Sequence, residues 1–427
     1  MKHKLNLSLV VVVLLLFGAV WTAAAENAPA AAADAAAALS LPARLSDPAQ
    51  PGPYQAGFRL ITVSRPSGDP FEAWLFYPAT AAGLNQPYDG SGAPYPAVSF
   101  AHGYLAPPLI YQGNYEHLVS YGYFLIASKS GSGLFPSHPE FADDLQYTLT
   151  WLEEENAAAD SELYQQVDTD HFGLSGHSMG GGVSILAAAE DPRVKAVINM
   201  AAAKTFPDSA VEAMADIQVP VALLGGSDDF IASVANHQQP MYDNGNAPRL
   251  LPVLQGGDHC AFASGLGNCG GSMPAETQLA ITNRWLVAFF NLYLKEQPLY
   301  AWYVWGPGMT FNPLVTTQWD AGMTVTPFYQ TATVGPGQTV TYSLTLTNSG
   351  SAAASFSLAS YLNQWPTTVT PGQTPLLNPG ESVALTVEVA APAVPQTLSD
   401  KALVVATSDN DGLTLQYGLL ATEIPTP

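Results

Sequence analysis

Basic residues are scarce in this sequence: 13 Lys plus Arg stand against 35 Asp plus Glu among 427 residues, and the formal net charge is -22. This balance argues against a nucleic-acid partner and against attachment to anionic membranes, because both need a patch of positive charge. Charged residues of either sign make up only 11% of the chain, so uncharged polar side chains must supply much of the surface. The apolar fraction of 48% is typical of a globular protein, and the length is sufficient for two domains.

Long hydrophobic runs are missing except at the beginning of the chain. Residues 1–25 begin with Lys2 and Lys4, continue through the apolar run LNLSLVVVVLLLFGAV and end in three alanines. This is the pattern of a secretory signal peptide cleaved after Ala25, and an uncleaved anchor is the alternative. The Ala- and Pro-rich residues 26–50 have no periodicity and indicate a flexible leader. We therefore expect a secreted, extracellular protein with no membrane attachment after signal cleavage.

Cysteine is also rare, since Cys260 and Cys269 are the only two. In an oxidising compartment, two cysteines that close a short loop are expected to form a disulfide, and two free buried thiols are the alternative. No His or Cys cluster has the spacing of metal ligands, and Asp409 and Asp411 in SDNDG indicate a turn more than a calcium loop. We expect neither a metal nor a cofactor.

From residue 55 onward, short β-branched runs alternate with helical patterns. We predict strands over 58–64, 72–78, 95–102, 123–130, 171–176, 194–200, 219–225 and 249–256. Strands separated by helices predict an α/β fold class with a mostly parallel central sheet and helices on both faces. In such folds the active site lies beyond the carboxyl ends of the strands. We assign residues 51–300 to this predicted catalytic domain.

One serine lies in a glycine-rich stretch, FGLSGHSMGGGVSIL, at residues 172–186. The predicted strand ends at Gly176 and an apolar helix begins after Gly182, so Ser178 occupies the tight turn between them. This is the pattern of a nucleophile elbow, in which the serine backbone is strained. Gly176 and Gly180 are expected because a Cβ at either position would collide with a neighbouring strand or helix. An ordinary glycine-rich βα turn is the alternative.

A serine hydroxyl needs a base to take its proton, and the base needs a carboxylate to orient it. In folds with this elbow the order along the chain is Ser, acid, His. His259 follows the last predicted strand, whereas His237 falls in a predicted helix. For the acid, the segment GGSDDFIAS offers Asp228 and Asp229, and the residues alone leave both open. Asp258 is a weaker candidate, because neighbours on an extended segment point to opposite sides.

The negative oxygen that forms after nucleophilic attack needs backbone N–H donors. One donor is the amide after the nucleophile, that of Met179, and the other comes from the loop after an earlier strand. The segment SFAHGYLAPP supplies that loop, in which Gly103 permits a sharp turn and leaves the Tyr104 amide facing the pocket. We interpret His102 as a structural residue that orients the loop rather than as a catalyst.

Four segments together resemble one family. HGYLA at 102–106, GHSMGGG at 176–182, GGSDDFIAS at 225–233 and QGGDHCAF at 255–262 resemble the actinobacterial cutinase and poly(ethylene terephthalate) hydrolase group of the α/β-hydrolases, in the same order over residues 55–295. The resemblance implies the α/β-hydrolase fold and the following site residues: nucleophile Ser178, acid Asp229, base His259 and oxyanion amides Tyr104 and Met179. It therefore selects Asp229 over Asp228.

The sequence departs from this family at one place. The family usually has a tryptophan after the strand that follows the elbow helix, where it stacks on the substrate. Here that stretch reads INMAAAKTF, with alanines at the matching positions. An aromatic clamp is therefore missing or supplied from elsewhere, and polyester cleavage is less firmly implied than ester cleavage.

The pattern changes after the predicted catalytic domain. Residues 301–324 form an aromatic, loop-like connecting segment, for which we expect core packing, with an extension of the substrate groove as the alternative. Residues 325–427 show period-2 alternation with turn signals and predict an antiparallel β-sandwich that resembles the immunoglobulin-like modules of secreted bacterial enzymes. Tyr361 and Trp365 are its candidate aromatic platform. Contact with a surface or polymer, a spacer role and a stabilising role all stay open for it.

Taken together, the sequence predicts a secreted serine carboxylic ester hydrolase of cutinase type that cleaves an ester or polyester through an acyl-enzyme. A serine peptidase or amidase on the same fold is one alternative. A non-catalytic binding or adhesion protein is another, and the filled Ser, Asp and His positions argue against it.

Overall fold

The computed structural model describes residues 46–310 and 312–425. The predicted signal peptide at 1–25 and the predicted leader as far as residue 45 lie outside the described residues. The last part of that leader contacts the folded body, because the carboxylate of Asp47 accepts two hydrogen bonds of 2.8 Å from Arg284. Within the described ranges, none of the helices has the length and apolar character needed to cross a membrane.

A ten-stranded sheet organises the first part of the molecule. Its strands are β1 Gln55–Ser64, β2 Pro70–Ala79, β3 Gly83–Leu84, β4 Tyr95–Ala101, β5 Phe124–Ser128, β6 Val167–His177, β7 Val194–Met200, β8 Val221–Gly226, β9 Arg249–Leu254 and β10 Val315–Asp320. Their order is β10-β9-β8-β7-β6-β4-β5-β2-β1-β3. Strands β4 to β9 pair in parallel, whereas β2 with β5, β1 with β2 and β9 with β10 pair antiparallel. The predicted α/β fold with a mostly parallel sheet is confirmed.

Helices cover both faces of this sheet. They are α1 Gln112–Val119, α2 His138–Ala157, α3 Met179–Glu190, α4 Ala210–Ala213, α5 Gln238–Asn244, α6 Ala275–Tyr293, α7 Ala301–Val304 and α8 Pro307–Thr310, with 3-10 turns at Pro108–Tyr111, Cys260–Phe262 and Pro298–Tyr300. Along β4, Val98 and Phe100 belong to the hydrophobic cluster under α1 and α6, and Ala97 and Ala101 belong to the cluster under α2 to α5. This period-2 division is what a strand buried on both faces requires.

The segment 301–324 differs from its predicted loop-like form. It contains α7, α8 and β10, and β10 pairs antiparallel with β9 so that Val315 lies opposite Leu254. The pairing satisfies backbone groups at an otherwise open edge of the sheet. The prediction of a loop-like segment was wrong because a helix of four residues is too short to show a helical period of apolar residues. The expected core packing is present, since Trp305 is 1% exposed.

Two four-stranded sheets form the C-terminal sandwich. Its strands are β11 Met323–Thr326, β12 Tyr329–Thr333, β13 Thr339–Asn348, β14 Phe356–Tyr361, β15 Thr367–Thr370, β16 Ser382–Ala390, β17 Ser399–Ser408 and β18 Leu415–Glu423. The sheet orders are β11-β13-β16-β15 and β12-β18-β17-β14, and all pairs are antiparallel except β12 with β18. Trp365 is buried, so Tyr361 and Trp365 do not form an exposed aromatic platform.

The sandwich and the ten-stranded sheet share hydrophobic core. The cluster beneath α1 and α6 continues through Trp305 and Met323 into the sandwich residues Tyr342 and Leu344. Buried polar contacts cross the same boundary: the hydroxyl oxygens of Tyr293 and Thr414 lie 3.0 Å apart. The described parts of the chain therefore form a continuous packed body across this boundary.

Candidate active site

Ser178 lies at the turn between β6 and α3, as the glycine pattern predicts. Its backbone angles are φ 57° and ψ -123°, a conformation that non-glycine residues rarely adopt. A Cβ at Gly176 would lie 2.3 Å from the carbonyl oxygen of Gly180, and a Cβ at Gly180 would lie 2.1 Å from that of Ala101 in β4. Because neither backbone oxygen can move without breaking an element, both positions require glycine.

The neighbouring strand end fixes this turn. The Ser178 amide donates to the carbonyl of Met200, the last residue of β7, at 3.0 Å. The Ser178 carbonyl accepts from the Ala203 amide at 2.8 Å. The alanines that stand where the family has its tryptophan therefore belong to a loop that is bonded to the elbow.

The three predicted triad residues converge from distant parts of the chain. His259 Nε2 lies 2.9 Å from Ser178 Oγ, and His259 Nδ1 lies 2.7 Å from Asp229 Oδ2. The second carboxylate oxygen of Asp229 accepts hydrogen bonds of 2.8 Å from the amides of Ile231 and Ala232. Burial of Asp229 opposes its ionisation, but the hydrogen bond from His259 and these two amides outweigh burial and lower its pKa.

The other candidate acid and base, Asp228 and His237, have different hydrogen-bond partners. The exposed carboxylate of Asp228 accepts from the amide and the hydroxyl of Ser272, at 3.0 and 2.8 Å. His237 precedes α5, and its Nδ1 accepts from the Lys204 amide at 3.1 Å. The geometry therefore groups His259 with Asp229 and Ser178, and it does not include Asp228 or His237.

Asp258 organises the loop that carries His259. Its carboxylate accepts from the amides of Cys260, Ala261, Cys269 and Gly271 at 2.6 to 3.0 Å. Burial raises the pKa of this carboxyl, but the four amides outweigh burial and lower it. Within the same loop, Cys260 and Cys269 form the expected disulfide.

Helix α6 is hydrogen-bonded to the same loop through one side chain. The side chain of Gln278 accepts from the Asp258 amide at 2.9 Å and donates to the Asp258 carbonyl at 2.7 Å. Sequence reasoning missed both Gln278 and the role of Asp258. Gln278 and Asp258 are 20 positions apart in the sequence, and only folding brings them into contact.

The predicted oxyanion amides belong to the loop after β4 and to the first residue of α3. As the first helical residue, Met179 has a backbone N–H with no acceptor inside the helix. In the preceding loop, the ring nitrogens of His102 lie 2.8 Å from the carbonyl oxygens of Gly103 and Ser130. The Tyr104 hydroxyl donates to the Leu134 carbonyl at 2.8 Å, which ties this loop to the one after β5.

Two further buried polar side chains lie behind the predicted triad. Tyr111 and His177 are hydrogen-bonded to each other at 2.8 Å, and His177 Nε2 lies 2.9 Å from the His259 carbonyl oxygen. His177 is part of the GHSMGGG motif, but the sequence suggested no role for its side chain. No sequence signal identified Tyr111.

Large apolar side chains are exposed in the loops around this site. They follow the carboxyl ends of the five parallel strands other than β6, the edge at which Ser178 also lies. These exposed residues are Tyr104 and Leu105 after β4, Leu134 and Phe135 after β5, Phe206 after β7, Phe230 and Ile231 after β8, and Leu266 after β9. We call this set the apolar rim. Phe135 is 96% exposed and Phe206 81%, far beyond what core packing would leave.

Comparison with known proteins identifies a family for each of the two parts of the chain. A model of the PET hydrolase-like family matches residues 32–330, and a model of the HYDIN/CFA65/VesB-like Ig-like domain matches residues 327–416. Cutinase est2 of Thermobifida alba is 28% identical over 39% of this chain and 53% of its own length. Cutinase cut1 of Thermobifida fusca is 27% identical over 51% of this chain and 66% of its own length. Lipase 1 of Moraxella sp. (strain TA144) is 24% identical over 50% of this chain and 61% of its own length.

The chain thus spans between about half and two thirds of the length of these curated relatives. The family model, by contrast, covers more than half of this chain. On the strength of that match and the α/β-hydrolase architecture around Ser178, the chain belongs to the PET hydrolase-like family.

Proposed function

We propose that this protein is a serine carboxylic ester hydrolase. The observation that carries the proposal is the continuous hydrogen-bonded line from Asp229 through His259 to Ser178, with separations of 2.7 and 2.9 Å. A serine in that line has a base for its proton, and the base has a carboxylate that fixes its tautomer.

In the proposed acylation step, His259 Nε2 accepts the Ser178 hydroxyl proton while Oγ attacks the ester carbonyl carbon. The resulting oxyanion receives hydrogen bonds from the backbone amides of Tyr104 and Met179. The tetrahedral intermediate then breaks the C–O bond of the ester, and His259 returns the proton to the departing alcohol. Asp229 stays ionised throughout, in agreement with its lowered pKa, and stabilises the imidazolium.

Deacylation repeats these steps with water. His259 takes a proton from the water, whose oxygen attacks the acyl-enzyme carbonyl. The second tetrahedral intermediate then breaks its bond to Oγ and releases the acid, and His259 returns the proton to Ser178 Oγ. His259 accepts and returns each proton, so the proposed reaction needs no cofactor.

The apolar rim supports an ester with apolar flanking groups as the substrate. We extend the proposal to a segment of polyester, which presents such groups on both sides of the ester bond. The family's tryptophan is absent, but Phe206 is exposed in the same loop after β7. Its ring could stack on an aromatic or acyl group in place of that tryptophan.

We also propose that the protein is secreted. The signal pattern at residues 1–25 supports this localisation. The disulfide between Cys260 and Cys269 also fits an oxidising compartment.

The proposal is tested by Ser178→Ala with p-nitrophenyl acetate and butyrate and with a peptide anilide. We expect the wild type to cleave the esters in preference to the anilide, and Ser178→Ala to lower kcat by at least about a thousandfold. Ser175→Ala is a matched control, because Ser175 is buried in β6 and its Oγ has no hydrogen-bond partner among the described residues. Turnover by Ser178→Ala above about a thousandth of the wild type would remove Ser178 from the nucleophile's role.

A further inference from the structure

A buried line of hydrogen bonds connects the two halves of the candidate site behind the triad. The Gly103 amide lies 3.1 Å from the Tyr111 hydroxyl oxygen, which lies 2.8 Å from His177 Nδ1. His177 Nε2 lies 2.9 Å from the carbonyl oxygen of His259. The links join residues 8, 66 and 82 positions apart in sequence, so only the fold brings them together.

Each hydrogen bond in this line has a defined direction. A carbonyl oxygen only accepts, so His177 Nε2 carries the hydrogen that it donates to His259. Burial, assisted by the neighbouring His259, lowers the pKa of His177 to about 3, and the ring is therefore neutral near pH 7. Its Nδ1 is then an acceptor, and the Tyr111 hydroxyl must donate to it. The same hydroxyl oxygen accepts from the Gly103 amide. All three hydrogen bonds can therefore form at once, because each has one donor and one acceptor.

The line contains or adjoins three groups of the proposed reaction. Gly103 precedes Tyr104, whose amide is a proposed oxyanion donor. His177 precedes Ser178, and His259 is the proposed base. The packing is close, since a Cβ at Gly103 would lie 3.1 Å from the Tyr111 hydroxyl and 3.2 Å from His177 Nδ1. A shift of any member therefore moves a reacting group.

We propose that Tyr111 and His177 are positioning residues that fix the distance between the oxyanion loop and the catalytic histidine. This inference rests on the proposed function, because it assigns the two residues to that same reaction. They act through Gly103 and His259 and do not touch the substrate. Their removal is expected to weaken stabilisation of the transition state rather than binding of the ester, because misplacing a reacting group by about 1 Å can cost roughly a hundredfold in rate.

The chain offers a matched pair of tyrosines for the test. Tyr115 is as deeply buried as Tyr111, and the two rings lie 6.1 Å apart and contact the same Phe100. Within residues 46–310 and 312–425, the Tyr115 hydroxyl has no hydrogen-bond partner, whereas that of Tyr111 bonds to both Gly103 and His177. Tyr111→Phe and Tyr115→Phe thus remove the same atom from nearly the same surroundings, and only the first breaks the line.

We expect Tyr111→Phe to lower kcat on p-nitrophenyl butyrate by about tenfold or more with KM within about twofold of the wild type. The dissociation constant of phenylboronic acid, which forms a tetrahedral adduct with a catalytic serine, should rise by a similar factor. Tyr115→Phe should change each quantity by less than about twofold. Urea unfolding of both variants separates these effects from a loss of folded protein.

An equal kcat in the two phenylalanine variants would overturn the inference, as would a raised KM with unchanged kcat in Tyr111→Phe. If Tyr111→Phe does not fold, His177→Gln and His177→Leu provide the test. Glutamine can still donate and accept, so it should retain more kcat than leucine, and equal losses would overturn the inference. Ser178→Ala distinguishes failure of the proposed function from failure of this inference. An active Ser178→Ala rejects the mechanism itself. An inactive Ser178→Ala with an unaffected Tyr111→Phe rejects only the positioning role.

Discussion

At the scale of single residues, two adjacent aspartates have opposite environments. Asp229 is buried against His259 and two backbone amides, whereas Asp228 is exposed and bonded to Ser272. The two carboxylates bond to different partners, and only that of Asp229 reaches the imidazole. The structure thus separates two residues that the local sequence leaves equivalent.

We therefore expect Asp229→Asn to lower ester kcat by about a thousandfold or more. An asparagine amide group facing His259 Nδ1 would favour the wrong tautomer, in which Nε2 carries a hydrogen and cannot accept the serine proton. Asp228→Asn is the control and should retain kcat within about threefold, because it loses only exposed contacts. Steady-state kinetics on p-nitrophenyl butyrate compare the two, and similar losses would contradict the assignment of Asp229 as the acid.

At the scale of elements, the loop after β9 shows how the proposed base, His259, is held outside regular structure. Three constraints act on it: the disulfide, the Asp258 carboxylate with its four amides, and Gln278 of α6. The disulfide and the carboxylate both join the two ends of the same short ring. The carboxylate should therefore maintain the loop's shape even when the disulfide is absent.

Replacing both cysteines, as Cys260→Ser with Cys269→Ser, should lower the free energy of unfolding by about 2.5 to 3 kcal/mol. This is the loop-closure entropy that a ring of this length removes from the unfolded chain. Ester kcat of the folded variant should stay within about threefold of the wild type, because Asp258 still binds the loop amides. Urea unfolding and initial-rate assays measure the two quantities, and a stable but inactive variant would show that the disulfide itself positions His259.

Most elements of the ten-stranded sheet could be predicted, because each depends on a local pattern. The eight predicted strands are all present, although β6 begins at Val167, four residues before the predicted start at residue 171. Strand β10 and helices α7 and α8 could not be predicted, because they form by completing a sheet edge and by packing Trp305 into the core. The elbow at Ser178 was predictable because its glycine pattern lies within five residues, although the contact that requires Gly180 comes from Ala101 in β4.

At the scale of the whole molecule, the hydrophobic cluster beneath α6 extends into the C-terminal sandwich. The Tyr293 hydroxyl accepts from Trp305 Nε1 at 2.7 Å and lies 3.0 Å from Thr414 Oγ1 in the sandwich. A boundary of this kind, apolar and with satisfied buried polar groups, resembles a domain core more than a tethered module. It favours a stabilising role for the sandwich.

We expect differential scanning calorimetry to show a single cooperative unfolding transition for the full chain. Because the ten-stranded sheet and the sandwich share one hydrophobic core, unfolding of either should expose the core of the other and destabilise it. Tyr417→Phe, which loses the 3.0 Å contact with Thr310 Oγ1, should lower the midpoint without splitting the transition. Two separate transitions in the wild type would instead indicate a sandwich that unfolds independently.

The amino-acid sequence by itself determined the alternation of strands and helices, the elbow at Ser178 and the order in which the proposed acid and then the proposed base follow it. These depend on side-chain period, glycine spacing and turn chemistry, which are patterns over a few neighbouring residues. Only the tertiary structure decided that Tyr111 and His177 join Gly103 to His259, and that Phe206 is exposed in the rim. Those facts depend on strand register and loop packing between segments far apart in the chain, where no local pattern carries the information.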